Sequence, residues 1–475
     1  VLLVVLDAAR RDAVAPYGAD ADTPVMAGLA RRGVAVTDAY ATAPWTLPSH
    51  VAMFTGALAS EFGLDQAPGG DPRGAAAVIT PLADRLLAGR LGAAGYATQG
   101  FSSNLWVSAH SGLDAGFDRF SYVPSERLGL SFGPNVGARS AALAWGREGL
   151  ASRGDDGATA IGAQLAGAIR AADPATPQFW FVNLVEAHSP YLPPRPFNDL
   201  GPGERIRAAI DCERHLNFAA ICVAAAGGPI PSPSALARLA HLHRCAVAYM
   251  DAWLAGVLAA LARAGMLEDT LVIVTSDHGE AFGEDGLLAH GFNVTEPLIH
   301  VPLIAAGPGA ERFGAGSGAL SLRELPGLIS AVAGLEPGSF GPPGDGIALS
   351  RAAAICPPDD PRMVAFAARW SLTEAQIRRL AADRWSATDG QHTLALTNGA
   401  LEPAVADDPA AAAAGPRGGG GDAPHLLAAL EHAARGGAPG AVVPAPPAEM
   451  SAVPQTADAD AVAQLERQMK LLGYM

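Results

Sequence analysis

The sequence predicts an α/β fold: a large, mostly parallel sheet sandwiched by helices, with a smaller C-terminal α+β subdomain. Three observations predict it. The chain opens on VLLVVL, a continuous apolar run of the kind shown by a parallel strand covered on both faces. Short apolar runs then alternate with amphipathic helical patterns, the order expected of a sheet with helices on either side. Finally, 475 residues with 49% hydrophobic and 17% charged content suit a large core and run opposite to the balance that disorder needs.

In chain order, residues 1–6 form the first expected strand, followed by a helical stretch at 23–32 and a short strand at 34–39. Further strands are expected at 96–101, 178–185, 270–275 and 300–305, with helices at 79–94, 157–171 and 233–264 between them. After about Pro343 the texture changes, which places the main α/β domain at 1–345 and the C-terminal subdomain at 346–475. The latter reads as a helix at 373–382 and strand-like pieces at 385–397. An Ala/Gly/Pro-rich excursion follows at 402–457, enclosing a helix near 425–435, and then a terminal helix at 458–472. Segments 125–157 and 198–234 are expected to wall a pocket.

A formal net charge of −15 argues against a general nucleic-acid or anionic-membrane binder and leaves room for a local pocket that takes a small anion. Cys212, Cys222, Cys245 and Cys356 lack CxxC spacing, so thiols are expected rather than a zinc site or a disulfide framework. No apolar run approaches the ~20 residues a membrane span needs. VLLVVL has no basic segment before it, unlike a signal peptide, and a cytoplasmic location is the expectation.

Open α/β sheets place their ligands at the carboxyl ends of the strands. There the first strand ends in Asp7, the 270–275 strand runs into Asp277 and His278, and the 178–185 strand leads to Glu186 and His188. Two carboxylates and an imidazole at one sheet edge suit a divalent metal, although strand-end solvation would place the same residue types there. Thr46 lies two residues before Pro48, which suits a first helical turn, so its hydroxyl sits where a helix N-terminus favours an anion. Thr46 or Ser49 could equally cap that helix. His50, His188 and His290 lie in strand-end segments. His241, His243, His425 and His432 fall on helical stretches and read as structural; the nearest approach to a ligand set there is His241 with Cys245 one turn later.

These segments resemble the sulfatase-like branch of the alkaline phosphatase superfamily. VVLDAARRDAVAPYG is similar to the family's opening strand with its metal-binding Asp, and PWTLPSHVAMFTG to the sulfatase signature Cys-x-Pro-Ser-Arg followed by a helix and Thr-Gly. GYATQGFSSNLWVS, VNLVEAHSPYLPP and TLVIVTSDHGEAFGEDGLLAHGFNVTEPLIHVPLIAAGPG follow in family order. The resemblance implies an alkaline phosphatase/sulfatase-like fold and a divalent metal held by Asp7, Thr46, Asp277 and His278. It implies Thr46, His50, His188 and His290 as catalytic residues, and Asn104 and Arg10 as substrate-binding ones.

The departures from the family pattern carry chemical meaning. Thr46 stands where sulfatases have the Cys or Ser that becomes formylglycine, so no formylglycine is expected. His50 replaces the signature Arg, Ala8 the second Asp of the opening pair, and His278 the Asn after the late Asp, while His290 takes the place of a downstream Lys. Losing an oxygen ligand and gaining an imidazole favours Mn or Zn over Ca. The expected substrate is a small anionic ester — phosphate, phosphodiester, phosphonate or sulfate — with phosphorus esters favoured and Thr46 as alkoxide nucleophile. The alternatives are a phosphotransferase that passes the group to an alcohol, a binding protein with a decayed site, and a phosphomutase-like enzyme, for which a second metal cluster is missing from the sequence.

Overall fold

The computed structural model describes residues 1–124, 154–336, 340, 344–401 and 423–435. The expected helix at 458–472, most of the 402–457 excursion and residues 125–153 of the expected pocket wall lie outside the described residues.

Among the described residues, ten strands precede residue 310: β1 Leu2–Leu6, β2 Val34–Ala35, β3 Ala39–Tyr40, β4 Ala97–Ser102, β5 Arg119–Tyr122, β6 Gln178–Leu184, β7 Val272–Thr275, β8 Ala281–Phe282, β9 Leu288–Ala289 and β10 Leu303–Ala306. The central sheet has the order β2-β10-β7-β1-β6-β4-β5. From β7 to β5 all neighbours are parallel, while β10 runs antiparallel to β7 and β2 antiparallel to β10. β1 is central, with Leu2 level with Trp180 on one side and Val272 on the other.

Alternation along the strands divides the core into two layers. Leu3, Val5, Phe179, Phe181 and Ile273 face one layer, closed by the helices Thr46–Thr55, Pro72–Ile79, Leu87–Ala93 and Leu325–Val332. Leu2, Val4, Leu6, Trp180, Val182 and Val274 face the other, closed by Pro24–Arg32, Ala158–Ala171 and Pro233–Arg263. Both sheet faces are therefore covered, which is why VLLVVL reads as an unbroken apolar run.

Helix Pro233–Arg263 departs from the expectation that no segment nears spanning length: by length and composition it is long enough to cross a membrane. In this structure Val247, Met250, Leu254, Val257 and Leu261 are buried against the sheet, so its apolar character is that of a core helix.

Local chemistry accounts for the other differences. The strand expected at 34–39 is split, β2 joining the central sheet and β3 pairing with β11 Leu320–Ser321. The helix expected at 79–94 begins earlier, at Pro72, passes through a 3-10 segment Thr80–Arg85 that contains Pro81, and resumes at Leu87; proline's missing N–H interrupts the α-helical ladder. The strand expected from residue 300 starts at Leu303, just after Pro302. β5 and the helix Pro361–Trp370 were not expected.

The C-terminal region forms an antiparallel sheet of β12 Ala348–Ala352, β13 Arg384–Thr388, β14 Thr393–Thr397 and β15 Ala400–Leu401. Leu349, Trp385, Leu394 and Leu396 bury one face of it against Leu426 and Leu430 of the helix Pro424–Ala434. β12 is tied to the main body: Arg351 N donates to Thr42 O and Ser350 Oγ to Ala41 O.

Candidate metal centre and active site

The carboxyl ends of β1, β6, β4 and β7 lie side by side in the parallel part of the sheet, and each delivers a polar side chain to that edge. Asp7 follows β1, Asn104 follows β4, His188 follows β6, and Asp277 with His278 follow β7. All five are buried. Thr46 arrives from above the sheet as the first residue of the helix Thr46–Thr55, which closes at Gly56 in the left-handed conformation with φ 76°. Neither Thr46 nor Ser49 caps this helix, whose N-cap is Trp45 and has no side-chain cap bond. Ser49 Oγ instead donates to Asp277 O at 2.7 Å, which fastens the helix to the β7 end.

At the centre, Asn104 Nδ2 donates to Asp7 Oδ2 at 2.7 Å and lies 3.4 Å from Thr46 Oγ1. Asn183 Nδ2, on β6, approaches the same Asp7 oxygen at 3.4 Å. The backbone N–H of Ala8 reaches Asp277 Oδ1 at 3.3 Å. His278 Nδ1 faces Gly279 O at 2.9 Å, so that nitrogen carries the proton and Nε2 presents a lone pair. That lone pair points at Asp7 Oδ1 and Asp277 Oδ2, each 3.6 Å away.

None of these three atoms — Asp7 Oδ1, Asp277 Oδ2 and His278 Nε2 — has a hydrogen-bond partner, although all are fully buried. Burial and then the nearby His290 push the His278 imidazole down to about 3, so it stays neutral. Burial and then Asp7 raise the Asp277 carboxyl well above the ordinary range. Burial alone would raise Asp7 as well, but His188, His278, His50 and the Asn104 hydrogen bond hold it lower. Two carboxyl groups and a neutral imidazole converging with no hydrogen-bond partner for these atoms are costly to bury, and that cost is what favours a proton on Asp277. A divalent cation resolves that conflict, and the donor set fits one.

The remaining histidines surround this cluster. His290 Nδ1 meets Glu280 Oε1 at 2.8 Å, and the His290 ring lies 4.2 Å from that of His278 and 4.9 Å from that of His188. His188 Nδ1 faces Ser189 O at 2.8 Å, so the backbone engages that nitrogen rather than Nε2. His50 Nδ1 bonds to Thr46 O at 2.9 Å and lies 3.5 Å from Asp277 Oδ2, while its ring meets Phe54 and Phe181 edge-on. Burial pushes His50 down to about 4. It therefore acts as a neutral brace on the backbone of Thr46.

Arg10 differs in kind from the rest. Its guanidinium binds Asp12 at 2.6 Å, Glu284 at 2.7 Å and Glu280 O at 2.9 Å. Its partners do not include Asp7, Thr46, Asp277 or His278, and it reaches the site through Glu280. Sequence reasoning passed over Glu280, whose other oxygen accepts from Tyr191 OH at 2.8 Å, and Asn183. The signal for Glu280 was present in its place two residues after His278 at a strand end.

This architecture, with its donors gathered at the strand ends, defines a protein of the alkaline phosphatase superfamily. Solved structures of similar fold include the phosphonate monoester hydrolase of Agrobacterium radiobacter, 19% identical, covering 91% of this chain and 94% of that one with a TM-score of 0.59. Another is the phosphonate monoester hydrolase from Silicibacter pomeroyi, also 19% identical, covering 92% and 95% with a TM-score of 0.60. The chain belongs to the sulfatase family, whose model matches residues 1–322; the family consists of metal-dependent ester hydrolases. Human iduronate 2-sulfatase is 29% identical over 152 residues, 28% of this chain and 27% of that protein, so the match spans about a quarter of that relative.

Proposed function

We propose that the protein is a metal-dependent hydrolase of small anionic esters in which Thr46 Oγ1 is the nucleophile, with phosphate, phosphodiester or phosphonate esters favoured over sulfate esters. The observation that carries this reading is the chain of contacts from Thr46 Oγ1 through Asn104 to Asp7, beside three buried lone-pair donors. Asp7, Asp277 and His278, together with Thr46 Oγ1, would hold the ion. The imidazole in the set favours Mn or Zn over Ca. Such an ion supplies a lowered hydroxyl pKa and positive charge opposite the transferred group.

The residues of the chain do the rest. The helix N-terminus directs backbone N–H groups toward the anion, and His50 fixes the Thr46 carbonyl so that Oγ1 keeps its place. Thr46 Oγ1 attacks phosphorus or sulfur in line, the ester oxygen leaves, and water later displaces Thr46 from the covalent intermediate. His188 and His290 present Nε2 to the non-bridging oxygens or the leaving oxygen, with Nδ1 of each held by Ser189 O and Glu280 respectively. Burial and His188 lower the His290 imidazole well below its usual range; the charge of a bound anionic ester acts in the opposite direction. Thr46 has no route to the aldehyde that lets sulfatases release sulfate by hemiacetal breakdown, and this favours phosphorus esters.

The test is hydrolysis of p-nitrophenyl phosphate, bis-p-nitrophenyl phosphate, p-nitrophenyl phenylphosphonate and p-nitrophenyl sulfate with Mn²⁺, Zn²⁺ or Ca²⁺, beside Thr46→Ala. Thr46-dependent turnover of a phosphorus ester with Mn²⁺ or Zn²⁺ is expected. Turnover undiminished in Thr46→Ala overturns the nucleophile. No turnover of any ester, together with no metal in the purified protein, overturns the enzyme.

A further inference from the structure

A second group of metal-competent donors lies among residues the proposed reaction does not use. Helix Pro233–Arg263 carries His241 and Cys245 one turn apart on one face. Asp199 comes to them from the loop between β6 and the helix Pro202–His215. His241 Nε2 is 2.6 Å from Asp199 Oδ1, Cys245 Sγ is 3.5 Å from His241 Nε2, and Sγ is 3.9 Å from Asp199 Oδ1. We propose that Asp199, His241 and Cys245 form a binding site for a divalent cation of the zinc class, separate from the Asp7–Asp277–His278 cluster.

The geometry supports this edge by edge. Around tetrahedral zinc, bond lengths of ~2.3 Å to sulfur and ~2.0 Å to nitrogen and oxygen set edges of roughly 3.5 Å for S–N and S–O and roughly 3.3 Å for N–O. The S–N edge already matches, and the S–O edge is longer by about 0.4 Å. The N–O edge is at hydrogen-bond length because a proton now lies between imidazole and carboxylate. A cation in its place parts those atoms by roughly 0.7 Å. The Asp199 side chain is 63% exposed and can give way. Sulfur in the set selects zinc over calcium or manganese, and three protein donors leave a fourth position for water.

The protons balance. Burial, and then Asp199, hold the Cys245 thiol up at about 11, so it is protonated near neutrality and releases one proton when the cation binds. His241 keeps one proton, moved to Nδ1, which frees the Nε2 lone pair. An ion held here ties the end of the segment that begins at His188, and that also carries Tyr191, to the long core helix.

The test uses the full chain, stripped of metal by a chelator and titrated with Co²⁺ alone. A thiolate–Co²⁺ charge-transfer band in the near ultraviolet, displaced by Zn²⁺, is expected. The Asp7–Asp277–His278 cluster contains no sulfur and yields no such band, so the result is independent of the ester-hydrolase reading. Cys245→Ser should abolish the band, Cys356→Ser should leave it, and His241→Gln should weaken Co²⁺ binding roughly tenfold or more. Should Cys245→Ser fail to fold, as judged by its metal-free melt, the His241→Gln titration decides. No band in the wild-type protein, a band that survives Cys245→Ser, or Co²⁺ affinity unchanged in His241→Gln overturns the proposal and leaves the three donors sharing protons only.

Discussion

Thr46 is the residue on which the proposed chemistry turns, and its neighbours bear on whether a hydroxyl can serve there. The side chain is 3% exposed, so Oγ1 sits where water competes little and nearby charge acts strongly. His50 and Asn104 fix its two ends, one through the carbonyl and the other through the hydroxyl. Thr46→Ala is expected to lower kcat by about 10³-fold or more while metal content stays equal to that of the wild type, since Asp7, Asp277 and His278 remain. Thr46→Ser keeps the oxygen and should retain a measurable part of the rate. Steady-state kinetics beside metal analysis separate these outcomes. Asp277→Asn should do the reverse, losing metal first, because the uncharged amide no longer offers an anionic oxygen to the ion. Metal content equal to wild type in Asp277→Asn would remove that residue from the ligand set.

Individual elements are held in place by contacts that their own sequences do not supply. The helix Pro24–Arg32 is preceded by Thr23, a typical capping residue, but Thr23 makes no cap bond and its Oγ1 accepts instead from Ala15 N. The first-turn N–H groups of Val25 and Met26, which have no partner within their own helix, are taken by the carboxylate of Asp251, at 3.0 and 2.8 Å, from the middle of the long helix Pro233–Arg263. Asp251 is 2% exposed, so its removal leaves two helix-terminal donors buried without an acceptor. Asp251→Ala is expected to cost about 2 kcal/mol of stability in urea unfolding, with Asp251→Asn recovering part of it. A loss within the scatter of the measurement would show that water replaces the carboxylate. The same helix supplies His243 Nε2 to Ala8 O at 2.9 Å, directly after Asp7. One core helix thus supports both the first helix and the turn that follows Asp7, a proposed metal ligand.

Over the whole molecule, what could be read from the chain is what local pattern carries. The unbroken apolar run of β1, the parallel order of the main strands and the convergence of Asp7, Thr46, Asp277 and His278 all follow from strand ends and motif order. The split between β2 and β3, the edge strand β5 and the helix Pro361–Trp370 depend on tertiary partners that no local period announces. The commitment of Arg10 to Asp12 and Glu284, and the role of Glu280, depend on them too.

Glu186 shows this limit most clearly, because the expectation of an ordinary strand-end acid cannot anticipate its burial. In the folded chain it is 2% exposed, one oxygen accepts from the backbone N–H groups of Asp156 and Ala158 at 3.2 and 2.9 Å, and the other has no hydrogen-bond partner. Burial, and then the charges of Asp156 and Asp155, push its carboxyl up to about 8. Below the unfolded value of 4.5 both states hold the proton and its contribution to stability is complete. As pH rises from there the unfolded chain releases the proton while the native protein keeps it, so stability falls until Glu186 ionises in the folded state near pH 8. The loss is on the order of 3–5 kcal/mol. Urea unfolding between pH 5 and pH 8.5 should therefore show the wild type losing stability relative to Glu186→Gln, which keeps the acceptor oxygen without the charge. Parallel curves for the two proteins would mean that Glu186 is ionised in the fold throughout that range.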